Sequence, residues 1–186
     1  LTPEELEKTL ARIVAKQADL DRRVRAIRDY RIPALINEYD IEDTFSPPMV
    51  RVYNAGALTI GTGGVGLALP YDSERFDTHN MHDTTTNTSR LTCKTAGLYL
   101  LCGGLTFAAN STGRRRVYIR LNGSTTLAAH EQNASPIYET FLDITTLYKL
   151  VVGDYVEIVG YQDSGSSLSV IFANYSPEFM AVWLGL

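Results

Sequence analysis

The chain has 186 residues, of which 45% are hydrophobic and 20% charged, with a net charge of −4. That is enough for one domain with its own core plus an accessory segment, and the acidic balance argues against a surface built for nucleic acid or anionic membrane. No run of about 18 apolar residues occurs, so no membrane-spanning helix is expected. The first residues, Leu1-Thr2-Pro3-Glu4-Glu5, carry neither an initiator Met nor a basic-then-apolar signal stretch, which reads as a mature product or a piece of a longer chain.

Residues 1–32 read as a helical stalk. Thr2 is the expected N-cap, Pro3 opens the helix, and Glu5 completes a capping box. Leu6, Leu10, Ile13, Gln17, Leu20, Val24 and Ile27 follow at alternating spacings of four and three. This is a heptad seam on about 40 Å of helix. Its apolar stripe needs a partner, either the following domain or further copies of itself. The strict repeat, the lone polar Gln17 in the seam, and Lys16 and Asp21 at flanking positions favour a coiled coil. Pro33 opposes continuation, so 33–47 is expected to be a linker.

From residue 48 the pattern turns to β. Runs rich in Val, Ile, Thr, Tyr and Phe recur about every ten residues between Gly, Asn, Asp and Pro signals, at 49–53, 57–60, 65–69, 88–94, 98–109, 115–121, 125–131, 137–149, 154–162, 168–173 and 178–185. Asn122-Gly123 marks a two-residue hairpin and Gly153-Asp154 another reversal. The expectation is an antiparallel sandwich or barrel. In 98–109 and 179–186 both alternating sets are apolar or small, so both faces of these strands are expected to be covered, one of them by another subunit. The residues assigned to that contact are Tyr99, Leu101, Leu105, Phe107, Met180, Val182 and Leu184.

Cys93 and Cys102 are too few for a disulfide framework and read as two small buried thiols, with a bridge across the Thr95-Ala96-Gly97 turn left open. Gly61-Thr62-Gly63-Gly64-Val65-Gly66 matches a dinucleotide-binding glycine pattern, but Pro70 leaves no room for the helix that the chemistry requires. No cofactor site is expected. His79, His82 and Asp83, with Asp77 beside them, are the candidate metal ligands, set against a reading as polar loop residues. Glu131, Glu139, Asp143 and Glu157 are scattered carboxylates, and no nucleophile elbow is present, so no catalytic residues are assigned. The small polar loops at 110–113, 131–136 and 163–167 are candidate recognition surfaces, with Arg114, Arg115, Asn133 and Asp163 as the residues named for ligand contact.

Three segments resemble the complement component 1q and tumour necrosis factor superfamily. Arg90-Leu-Thr-Cys-Lys-Thr-Ala-Gly-Leu-Tyr99 is similar to its strand–turn signature, Leu150-Val-Val-Gly-Asp-Tyr-Val-Glu-Ile158 to its Gly-Asp hairpin, and Phe179-Met-Ala-Val-Trp-Leu184 to its last strand. Lys94-Thr95 departs where the family often has Pro, and Ala181 where Gly is common. Phe76-Asp-Thr-His-Asn-Met-His-Asp83, Thr112-Gly-Arg-Arg-Arg-Val117 and Arg120-Leu-Asn-Gly123 resemble variants in phage structural and bacterial surface proteins. The resemblance implies a mainly β, ten-stranded antiparallel jelly roll over 48–186 that assembles as a homotrimer, preceded by the coiled coil. It also implies a non-enzymatic fibre, spike or receptor-binding role on a virion, with other structural proteins and a host-surface glycan or protein as partners. The alternatives are a tailspike-like glycan hydrolase and a bacterial surface or extracellular, cytokine-like ligand.

Overall fold

The computed structural model describes residues 2–26 and 46–186, and the chain divides into two units, 1–46 and 47–186. In the first unit α1 spans Pro3–Ala26. The capping box forms: the Thr2 N–H donates to the Glu5 carboxylate (2.8 Å) and the Glu5 N–H to the Thr2 hydroxyl (3.3 Å). Glu4 and Glu5 sit in the first turn and Arg23 and Arg25 in the last, complementing the helix dipole. The seam residues Leu6, Leu10, Ile13, Leu20 and Val24 are all exposed, while the Gln17 amide donates to Asp21. Ile27 and residues 33–45 of the expected linker lie outside the described residues.

The second unit is all β among its described residues. Its strands are β1 (Met49–Tyr53), β2 (Leu58–Ile60), β3 (Leu67–Ala68), β4 (Ser73–Asp77), β5 (Leu91–Thr92), β6 (Gly97–Phe107), β7 (Arg114–Leu121), β8 (Thr125–Asn133), β9 (Thr140–Leu150), β10 (Tyr155–Gln162), β11 (Leu168–Val170) and β12 (Glu178–Gly185). They form two antiparallel sheets. The seven-stranded sheet runs β2-β11-β6-β12-β1-β4, with β9 along the other edge of β6. The five-stranded sheet runs β3-β10-β7-β8, with β5 also on β10.

Twelve strands stand where ten were expected, and β4 was not anticipated at all. Its sequence, Ser-Glu-Arg-Phe-Asp, has no apolar alternation, because it is an edge strand pairing only with β1. The core lies between the sheets. Val50, Val52, Tyr99, Leu101, Leu105, Phe107, Phe179 and Ala181 come from one sheet and Val117, Ile119, Val156 and Ile158 from the other, all essentially without solvent contact. Burial of this set is the main driving force for the fold.

The turns follow their residues. Asn122 and Gly123 both take positive φ, 50° and 73°, as the tight β7–β8 hairpin demands. The Asn122 side chain donates to Asp154 (2.8 Å) and accepts from the Tyr155 N–H (2.9 Å), which ties this hairpin to the β9–β10 turn. The glycine-rich 61–66 segment is a loop between β2 and β3 with positive φ at Gly63, Gly64 and Gly66, and no helix follows it.

Candidate functional site

β6 exposes its outward face through Leu98, Leu100 and Cys102, not through the residues expected there. Tyr99, Leu101, Leu105 and Phe107 point into the sandwich core and have no solvent exposure. The expected assignment of these four to a subunit contact is therefore corrected. On β12 the outward set is Met180, Val182 and Leu184. Antiparallel partners share a face. Met49, Val182, Leu100 and Leu147 accordingly form one apolar row across four strands, and Arg51, Met180, Cys102 and Thr145 form the next. Cys102 is thus half-exposed on this sheet rather than buried, whereas Cys93 is buried and donates to the Thr95 carbonyl; both thiols are free.

At one end of this face the Glu178 carboxylate is almost fully buried. It is held by Arg51 and by the Arg75 Nε (2.6 Å). Arg75 also donates to the Asn174 carbonyl and stacks over Tyr53. Beside this cluster Phe141 and Tyr175 meet edge to face at 5.8 Å, and Gly103–Gly104 opens a cleft of about 350 Å³. The lining is apolar with one satisfied ion cluster, a composition suited to a buried contact rather than to chemistry.

Two of the four carboxylates considered for catalysis, Glu157 and Glu131, are held by arginines. Glu157 is buried and receives Arg120 (2.9 Å) and the Ser89 hydroxyl (2.8 Å). Glu131 pairs with Arg114 at 3.3 Å, and Asp143 lies 4.0 Å from His130. Glu139 is exposed on the loop before β9. These four do not converge on one cleft.

The candidate metal ligands do not converge either. The His82 ring is buried with Nδ1 on Glu74 (2.9 Å) and Nε2 on the Thr88 carbonyl (3.1 Å). His79 Nδ1 meets the Thr78 hydroxyl. Asp83 accepts from the Thr85 and Thr86 N–H groups, and these bonds, Thr85 foremost, hold its carboxyl below the usual range. Asp77 accepts from the N–H groups of His79 and His82. Among the described residues no three His, Cys, Asp or Glu side chains are grouped to hold an ion. The polar-loop reading is the one these contacts fit.

The arginine run divides sharply. Arg115 has no solvent exposure: its guanidinium donates to the carbonyls of Asn110 (3.2 Å), Thr112 (2.9 Å) and Arg114 (3.1 Å), and it faces the Phe107 ring. It holds the 108–113 loop from inside, so the expectation that it touches a ligand is corrected. Arg115→Ala would leave three carbonyls without donors and a void under the loop. A loss of roughly 2–3 kcal/mol in stability is expected by chemical denaturation. Arg114 is exposed but committed to Asp163 (3.0 Å) and Glu131. The Arg114 N–H, donating at 2.5 Å, is the main reason that the Asp163 carboxyl lies below its usual range. Asn133 is exposed at the end of β8, in register with Arg114.

Arg116 belongs to the same charged run but was not among the residues named for ligand contact. It lies outward on β7 between Tyr161 on β10 and Glu131 on β8, and its guanidinium sits 5.0 Å from the Tyr118 ring centre. No carboxylate pairs with it among the described residues. A run of three arginines gives no signal of which one is free, because that depends on the cross-strand neighbours.

No family model matches the sequence, and no curated protein matches it. Solved structures do. The globular domain of zebrafish complement 1qA matches with a TM-score of 0.53 at 13% identity, over 74% of this chain and 97% of that one. Murine APRIL matches at 0.58 and 10%, over 75% and 100%. Eiger TNF from S. frugiperda matches at 0.57 and 15%, over 75% and 94%. With twelve strands in two antiparallel sheets and these neighbours, the β unit of this chain is a jelly roll of the complement 1q and tumour necrosis factor fold.

Proposed function

We propose that the protein is a non-enzymatic, homotrimeric attachment module: a fibre, spike or tail-tip component of a phage virion that binds a host-surface ligand. The observation that carries the trimer is the apolar row Met49–Val182–Leu100–Leu147 on the outward face of the seven-stranded sheet, with Leu147 54% exposed in the single chain. A soluble domain rarely leaves such a contiguous apolar strip to water. The unpartnered seam of α1 adds a second surface with the same need. Closed three-fold association would cover both and leave the five-stranded sheet outside. The virion assignment rests on the resemblance of residues 76–83, 112–117 and 120–123 to variants in phage structural and bacterial surface proteins.

Light scattering on the full chain tests the assembly. A particle of about 62 kDa, three chains of 20.6 kDa, is expected. A stable 20.6 kDa monomer would end the reading. Labelled protein should then bind host cells saturably, and no saccharide should be cleaved.

A further inference from the structure

The chain reaches the β unit at Pro47 beside Trp183, whose N–H donates to the Pro48 carbonyl. The register of β12 on β6 places this point at the end holding Gly97 and Leu150. The opposite end holds Phe107, Thr140 and the start of β7. On the outward face of the five-stranded sheet, near that opposite end, Arg114, Arg116, Tyr118 and Tyr161 line a cleft of about 350 Å³ beneath Gly64 and Val65.

Its parts are fixed in advance. The Tyr118 hydroxyl donates to the Val65 carbonyl at 2.5 Å, so the ring cannot swing away. Gly66, at φ 78°, packs against the Gly160 carbonyl and holds the loop down on the sheet. Gly63 and Gly64 have open space where a side chain would stand, so a ligand can approach the backbone there. Three arginines point outward from β7. Arg120 is neutralised by Glu157, and Arg114 by Asp163 and Glu131. Arg116, opposite Glu131 on β8, has no carboxylate within ion-pair distance among the described residues.

We propose that this cleft binds a carboxylated saccharide, with the Arg116 guanidinium taking the carboxylate. A planar fork of N–H donors matches a carboxylate through two parallel bonds, which an ammonium cannot do. The two tyrosine rings, one beside each arginine at 5.0 and 5.6 Å, wall the cleft, and their hydroxyls, which donate to Val65 and Asp163, keep lone pairs that can accept from sugar hydroxyls. The volume lies at the small end of ligand clefts, which suits one or two sugar residues and is too little for a protein surface. The site deepens the attachment reading by naming its ligand class, and it rests on that reading for its biological sense.

Binding is measured on the full chain with three probes: sialyl-lactose and a galacturonate trimer as acidic saccharides, and lactose as the neutral control. A glutamate pentapeptide serves as a competitor. The acidic saccharides should bind saturably and lactose should not. Arg116→Ala should weaken binding at least about tenfold and Arg116→Lys by less, since it keeps the charge without the fork. Lys94→Ala, a cation at the other end of the domain, should change nothing. Equal binding of lactose and the acidic probes, or an unaltered affinity in Arg116→Ala, overturns the proposal. Displacement by the glutamate peptide at matching concentration overturns the saccharide assignment in favour of an acidic peptide. The mass of Arg116→Ala, read alongside, keeps a failed site distinct from a failed assembly.

Discussion

Val182→Arg is expected to turn the proposed trimer into monomers at micromolar concentration while leaving the fold intact. Val182 stands between Met49 and Leu100 in the outward apolar row, and its side chain makes no part of the sandwich core. A guanidinium there is free to reach water in a single chain. In a closed assembly three copies would be taken out of water together, each at a cost of roughly 3–5 kcal/mol when no partner is supplied. Light scattering should fall from the trimer mass to 20.6 kDa with an unchanged circular dichroism spectrum. Ile137→Arg, at a highly exposed position on the loop before β9, is the control and should stay trimeric. A trimeric Val182→Arg protein would place the subunit contact elsewhere.

In β6, as in β12, the alternating pattern allows two solutions. In residues 98–107 both alternating sets are apolar, so a period of two cannot say which set is inside. The expected contact set, Tyr99, Leu101, Leu105 and Phe107, is the one that fills the core. The tie is broken by cross-strand registry. Met180 lies opposite Cys102 and Val182 opposite Leu100, so the face carrying Met180 and Val182 carries Leu100 as well. Pairing register is long-range information that no local pattern holds.

The other features divide in the same way. The capping box, the Asn122-Gly123 turn and the long strands were legible because each depends on residues close in sequence. β4 was not, since an edge strand with Glu74 and Arg75 reaching to His82 and Glu178 needs no alternation. The roles of Arg114, Arg115 and Arg116 were beyond reach for a related reason. Three identical side chains in a row become a surface ion pair, a buried loop anchor and a cation with no carboxylate partner among the described residues, as the pleat and the neighbouring strands dictate. Of the residues named for ligand contact, Arg115 is buried and Arg114 and Asp163 are paired with each other.

Gly97→Ala is expected to be the most damaging single-methyl change in the domain. Gly97 opens β6 at φ 152°, and an added Cβ would run into the Trp183 Nε1 and the Gly185 carbonyl. Neither neighbour can yield cheaply. The Trp183 indole donates to the Ala96 carbonyl at 3.1 Å, and the Gly185 carbonyl belongs to the β12 backbone paired to β6. Two residues on, the buried Tyr99 hydroxyl donates to the Thr95 carbonyl at 2.7 Å, which locks the same turn from the core side. In the Gly97-Leu98-Tyr99 segment the glycine thus admits the tryptophan and the tyrosine closes the turn. Backbone strain plus a steric clash should cost about 3 kcal/mol or more, a fall of roughly 10 °C in Tm. Gly153→Ala separates the two effects, because Gly153 also has positive φ (94°) but nothing stands near its Cβ position. It should lose only about 1 kcal/mol, the strain alone. In a double-mutant cycle Trp183→Ala should be less than additive with Gly97→Ala, since the smaller side chain removes one of the two collisions. Equal Tm values for Gly97→Ala and Gly153→Ala would show that the indole does not set the requirement for glycine.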